Sequence, residues 1–337
     1  LSDQFVLVRI VNMRGVDLSV FDFDFDLTWA AFFMNDRGYV YGRYGSRDEG
    51  SAESGLSLSG LKYAMQQSLN AHQKNPKVEP VLIKKKSKSF ATKPEGYPAA
   101  KRLKKDACIH CHQVNNFRIE VLFKENQWRK DCMWVYPPAK NVGLEMEIDQ
   151  GDKIQSVAPN GPAQQAGLRA GDVLSTVNSV PIASGADLQY ALEKVSQQEN
   201  VPLVWLRQGR QHRGQLTLKK GWRRSDVSWR ASMWAMPPVT GVYGRDLTEK
   251  QKKELNIPAE NLAFYMGKFV PRQPRQAGIR ANDVILGVDD KPLKMTMLQF
   301  NVYIRENFDV GDRVVFNVLR GGKRINLPMK LTLRTTW

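Results

Sequence analysis

The sequence predicts a multidomain α+β chain. Three observations carry that expectation. Apolar runs of strand length alternate with stretches of helical period. A twelve-residue pattern occurs twice, 111 residues apart. A basic stretch without apolar periodicity separates the N-terminal part from the rest. At 337 residues the chain can bury two or three separate cores. Its apolar runs are too short to span a membrane.

The first part, 1–72, reads as a compact mixed unit. Phe5-Val6-Leu7-Val8-Arg9-Ile10-Val11 is β-branched and apolar, Ala30-Ala31-Phe32-Phe33-Met34 is a second strand-like run, and Tyr39-Val40-Tyr41-Gly42-Arg43-Tyr44 a third. Asn35-Asp36-Arg37-Gly38 between the last two is a hairpin turn, with Gly38 free to take a positive φ. Leu58, Leu61, Met65 and Leu69 recur at helical spacing and predict a helix over 58–72. Trp29 to Gly38, closed by Gly45, resembles the hairpin of the thioredoxin family. The resemblance implies the second half of that fold, a partial thioredoxin-like α/β unit. Thr28-Trp29 stands where the family has its cis-proline, and the redox cysteine pair would lie upstream. Leu1 in place of an initiator methionine is expected to reflect residues removed or lying upstream, a leader among them.

Residues 73–97 read as a linker rich in Lys, Pro and Ser. The net charge is +16, and nine Lys or Arg fall between Lys84 and Lys105. No zinc-finger, RNP-like or helix-turn-helix signature accompanies them, so an acidic protein partner is expected rather than nucleic acid. Pro98 then opens a short helical segment, 98–138, around Cys108-Ile109-His110-Cys111-His112. A C-x-x-C-H pentapeptide suits covalent haem c: each thiol bonds one vinyl group and the following imidazole ligates iron. Cys108, Cys111 and His112 are the expected attachment and proximal groups, with Met133, Cys132 and His72 as distal candidates. The competing reading is structural zinc held by Cys108, Cys111, Cys132 and His110 or His112. A redox dithiol is a third.

From Asn141 onward the chain repeats itself. Gly161-Pro162-Ala163-Gln164-Gln165-Ala166-Gly167-Leu168-Arg169-Ala170-Gly171-Asp172-Val173-Leu174 is echoed by Pro274-Arg275-Gln276-Ala277-Gly278-Ile279-Arg280-Ala281-Asn282-Asp283-Val284-Ile285. Each copy continues into an apolar strand, a turn, a helix (Leu188, Leu192, Val195; Leu298, Val302, Ile304) and a closing hairpin. The pattern resembles the PDZ domain, in the variant attached to bacterial high-temperature-requirement proteases. The resemblance implies two PDZ-like domains, β-sandwich or partly open barrel, over 139–222 and 233–337. It implies peptide-binding loops at Val142-Gly143-Leu144-Glu145 and Thr240-Gly241-Val242, and a groove helix from Asp187 to Val195. Glu145 stands where many family members keep a small residue.

Hydrolysis is not expected. The chain has no G-[DN]-S-G-G segment, and Ser57 and Ser59 have the wrong spacing for a nucleophile elbow. Asp22, Asp24 and Asp26 alternate and read as a solvated strand edge rather than a calcium site. The expected function is an extracytoplasmic, periplasmic c-type haem protein for electron transfer or redox sensing, docked to an acidic redox partner through its PDZ-like grooves. The alternatives are a zinc-stabilised PDZ scaffold and a thiol oxidoreductase completed by an upstream C-x-x-C. A homo-oligomer is compatible with either.

Overall fold

A computed structural model describes residues 1–47, 51–78, 90–104 and 106–333. The chain divides into two compact units, Leu1–Ser225 and Asp226–Trp337. Most of the basic run of the linker, 79–89, lies outside the described residues.

The N-terminal unit begins with the segment the sequence marks as a strand. It is not one. Residues 6–11 belong to no strand and pair with none among the described residues, with Val6 93% and Val8 80% exposed. β-propensity becomes a strand only when a neighbour supplies the ladder, and none among the described residues does. The hairpin is as expected: β1 (Ala31–Met34) and β2 (Val40–Tyr44) pair antiparallel, with Phe32 opposite Arg43. Asn35 builds the turn, its Oδ1 accepting the N–H groups of Arg37 and Tyr39. Helix α1 (Leu58–Lys74) starts where Ser57 Oγ accepts the N–H of Gly60 at 2.8 Å. Phe33, Tyr44 and Ala64 form the small core between hairpin and helix. Among the described residues of this part there are a two-stranded hairpin and one helix, and the thioredoxin-like assignment that the resemblance implies is not supported.

Helix α2 (Cys111–Lys124) follows, and Gln113 Oε1 accepts the N–H of His110 at its start at 2.8 Å. Its Val114, Phe117 and Val121 pack with Met13, Phe25, Tyr97 and Ile109 into a second cluster.

The first repeat completes this unit. β3 (Leu144–Met146) pairs β4 (Ile154–Val157), and after α3 (Pro162–Gln165) come β5 (Val173–Val177), β6 (Val180–Pro181), α4 (Gly185–Glu193), β7 (Glu199–Arg207) and β8 (Arg210–Leu218). The last four strands form a sheet in the order β6-β5-β7-β8. In the second unit, β9 (Gly244–Asp246), α5 (Glu249–Glu254), β10 (Phe264–Met266), α6 (Arg272–Gln276), β11 (Val284–Val288), α7 (Met297–Asn307), β12 (Arg313–Arg320) and β13 (Lys323–Lys330) give one five-stranded sheet, β13-β12-β11-β10-β9.

The shared motif now has a physical reading. Asp172 accepts the N–H of Arg169 at 2.9 Å and grips Arg207 through Nε (2.7 Å) and Nη2 (2.8 Å), while Arg207 also donates to the carbonyl of Gly167. Asp283 does the same with the N–H of Arg280, with Arg320 (2.7 and 2.7 Å) and, through Arg320, with Gly278. A bidentate pair on a buried carboxylate locks the turn to the last long hairpin. The turn needs a left-handed residue before each Asp. Gly171 (φ +85°) provides it in one copy and Asn282 (φ +63°) in the other, Asn being the side chain that tolerates it.

Candidate peptide-binding site

In the second repeat an open strand edge lies beside a helix. β9 is the outer strand of its sheet, and α7 runs next to it. The helix is set by two devices. Thr296 and Gln299 form a capping box, and Asp246 Oδ1 accepts the N–H of Met297 at 2.8 Å, tying the helix start to the strand end. Met297, Phe300 and Ile304 enter the core, where Phe300 meets Phe264 and Phe316. Leu298, expected on that face, is 37% exposed. Asn301 and Arg305 are buried one turn apart. Arg305 Nε donates to the Met236 carbonyl at 2.9 Å and Nη1 to that of Asn301 at 2.5 Å. Burial, with no carboxylate partner among the described residues, pushes its pKa down to about 9.

The corresponding helix of the first repeat is enclosed. Leu188, Ala191 and Leu192 of α4 face the repeat's own core. Its other side meets β2 and the segment 134–136. Arg43 donates its N–H to Asp187 Oδ1 at 2.9 Å, accepts from Ser184 Oγ, and lays its guanidinium 3.5 Å from the centre of the Tyr190 ring. Gln189 Nε2 reaches the carbonyl of Arg47 at 3.1 Å. At the C-terminal end Arg223 donates to the carbonyls of Trp134, Leu192, Glu193 and Val195 and to Glu193 Oε2, and the Tyr136 N–H also reaches Glu193. Every residue of α4 from Asp187 to Glu193 is buried.

That burial makes Asp187 titrate. Loss of solvation raises its pKa to about 6, against the pull of Arg43 and three backbone N–H groups. An acid whose folded pKa is raised contributes stability that is complete below the unfolded value near 3.8 and lost as pH climbs through 6. Two pKa units correspond to about 3 kcal/mol. The stability difference between the unaltered chain and Asp187→Asn should therefore fall by up to that amount from pH 4 to pH 7. Urea melts across that range check it, and a constant difference would refute the assignment.

Val142 and Leu144 are buried, Gly143 is left-handed, and Glu145 is exposed and accepts from Ser156 Oγ at 2.6 Å. Thr240 and Val242 are buried on either side of Gly241. The cysteine–histidine group is arranged otherwise than expected. Cys108 is exposed, Cys111 occupies the first position of α2, and His112 is exposed with its ring stacked on His110 at 6.0 Å. Burial raises the pKa of the Cys111 thiol. His72 Nδ1 lies 3.1 Å from the Tyr41 hydroxyl. Cys132 is half-buried, and Met133 is fully buried.

A longer repeat that sequence reading missed explains the last two. Met133-Trp134-Val135-Tyr136-Pro137-Pro138 recurs as Met233-Trp234-Ala235-Met236-Pro237-Pro238, 100 residues on. Each copy leads from a 3₁₀ turn into its repeat, and Met233 is as buried as Met133. Cys132 thus occupies the position that Ser232 holds in the second copy, and both belong to the approach to a repeat.

Comparison with known families decides what the repeats are. The PDZ-domain profile matches residues 153–207 and again 263–331. The chain carries two PDZ domains. Among curated relatives, it is 25% identical over 224 residues to a probable periplasmic serine protease do/HhoA-like of Haemophilus influenzae, covering 65% of this chain and 44% of that protein. It is 25% identical over 188 residues to the periplasmic serine endoprotease DegP of Escherichia coli K12, covering 56% of this chain and 36% of the relative. The match thus spans less than half the length of either relative. A crystal structure of the serine endoprotease from Yersinia pestis is 31% identical over 23% of this chain and 28% of that one, with a TM-score of 0.21.

These findings overturn the haem reading. The relatives are named as serine proteases, and the expected haem c on Cys108, Cys111 and His112, with its electron-transfer role and redox partner, is withdrawn. The geometry gives the physical reason. Ile109 between the two thiols is fully buried and Asn12 accepts its N–H, so the apolar cluster beside the motif is closed by its own side chains. His112 faces solvent rather than an apolar slot. Met133, Cys132 and His72 have the structural places described above and are no longer distal ligands. The zinc alternative also falls: among the described residues no three His, Cys, Asp or Glu side chains gather to hold a metal. Asp22, Asp24 and Asp26 lie outside any strand, and Asp24 and Asp26 are buried rather than solvated. Asp22 accepts from the Tyr136 hydroxyl and pairs with Lys194, fastening the N-terminal segment to the first PDZ domain.

Proposed function

We propose that this chain captures extended polypeptide at its second PDZ domain, by addition of a strand to the outer edge of β9. The single observation behind this reading is that edge, lying beside α7 with no strand on its far side among the described residues. The first domain, over 139–222, serves as a packed anchor because its groove helix is enclosed. The second, over 233–337, is the one that binds. The relatives are periplasmic serine proteases by name, and we place the chain with them: periplasmic, in a process tied to proteolysis, contributing recognition of protein substrates or partners. Among the described residues no helix is long and apolar enough to cross a membrane.

Strand addition has a signature that other contacts lack. Backbone N-methylation of a bound peptide should weaken binding at least about ten-fold at residues whose N–H faces β9, and less than about two-fold at the residues between, ten-fold being roughly 1.4 kcal/mol. Fluorescence anisotropy on a methylation series, with a twelve-residue peptide selected from a tiled array, makes the measurement. An even loss at every position would contradict strand addition.

A further inference from the structure

We infer that the second PDZ domain selects internal segments of polypeptide rather than free C-termini. The inference rests on the strand-addition reading above and names its substrate class.

Gly244 lies opposite Met266, Arg245 opposite Tyr265 and Asp246 opposite Phe264. The carbonyl of Tyr243 accepts from Gly267 and the N–H of Leu247 donates to Ala263. In an antiparallel ladder hydrogen-bonded and open pairs alternate. Tyr243, Arg245 and Leu247 therefore face β10, and Val242, Gly244 and Asp246 face outward, toward any added strand.

A C-terminal carboxylate would have to be received at the loop end of that edge, on Val242 and the groups before it. The N–H and the carbonyl of Val242 are already engaged. The N–H of Val242 donates to Thr240 Oγ1 at 3.0 Å, and its carbonyl accepts from Asn301 Nδ2 at 3.1 Å. Thr240 Oγ1 in turn donates to Asn301 Oδ1 at 3.1 Å, closing a ring of three residues, none more than 1% exposed. Asn301 is anchored further by its donation to the Met297 carbonyl at 3.1 Å. A carboxylate entering here must break this ring and leave buried polar groups without partners, a penalty that the backbone further along does not impose. Arg305 is the charge that would argue the other way, but its Nε and Nη1 are held by the carbonyls of Met236 and Asn301.

The contact left open is centred on Gly244. It grips a strand by backbone in mid-segment, and a segment that continues on both sides satisfies it as well as one that ends.

The test uses the full chain and one set of twelve-residue array peptides in three forms: free carboxylate, C-terminal amide, and the same sequence extended at both ends. The expected result is binding of all three within about two-fold. Binding of the free acid more than about ten-fold tighter than the amide would overturn the inference while leaving strand addition intact. Binding of none of the forms would instead reject polypeptide capture itself. The Thr240→Val, Asn301→Ala double variant frees the Val242 groups and should acquire a ten-fold or greater preference for the free acid. A folded double variant without that preference would also overturn the inference. If it does not fold, the acid–amide comparison on the unaltered chain decides alone.

Discussion

Arg223→Ala is expected to lower the stability of the Leu1–Ser225 unit by about 3–5 kcal/mol, the range for breaking a buried ion pair from one side. The guanidinium is almost wholly buried and donates to four carbonyls and to Glu193, itself buried. Its removal strands a charge and the last carbonyls of α4 together, and no water replaces them without opening the helix end. For a unit of this size the melting temperature should drop by roughly 6–20 °C. Arg223→Lys should fall between the two, because one ammonium keeps the charge but cannot span the acceptors. Urea and thermal unfolding measure all three chains. A loss below about 1 kcal/mol in the alanine variant would show that the cluster is not holding α4 in place.

Gly244→Ala should detach β9 from β10 and abolish peptide capture. A β-carbon there would sit 1.7 Å from the carbonyl oxygen of Tyr265 and 3.1 Å from the nitrogen of Gly267, both main-chain atoms that cannot swing aside. The strand itself must move, taking with it the Tyr243–Gly267 bond and the Asp246 cap on Met297. A loss of about 1–3 kcal/mol is expected in the Asp226–Trp337 unit. Peptide affinity should fall at least about ten-fold, because the edge no longer presents a straight ladder. Hydrogen exchange at β10 and anisotropy with the same array peptide give the two readouts. Full binding by a stable alanine variant would place capture somewhere other than this edge.

The two variants divide the chain by role. One tests how the first PDZ domain is fastened to the hairpin and helix that precede it, and the other tests the surface by which the second is proposed to act. The pH dependence of Asp187 belongs with the first, since its carboxylate is buried only because β2 lies against α4.

By itself the sequence determined what short-range chemistry determines. The Asn35–Gly38 turn, the start of α1 at Ser57 and the repeated Gly/Asn–Asp turn all follow from side chains acting on backbone within a few residues. The two PDZ domains were legible because their motif carries its own anchors: a left-handed residue, an Asp, and an Arg at the end of a later strand. The Met-Trp-x-x-Pro-Pro repeat was present in the sequence too and could have been found by sliding the chain 100 residues along itself. Other properties depend on what lies opposite. Phe5 to Val11 has every local mark of a strand and, among the described residues, no neighbour to pair with. The Cys108–His112 pentapeptide has the spacing for haem, but the cluster around Ile109 closes over the space a cofactor would need. Only tertiary packing placed Asn301 against Val242, and only it covered the α4 helix of one PDZ domain while leaving the β9 edge of the other without a further strand among the described residues. Pairing partners and burial are set by residues distant in the chain, and periodicity and spacing carry no information about them.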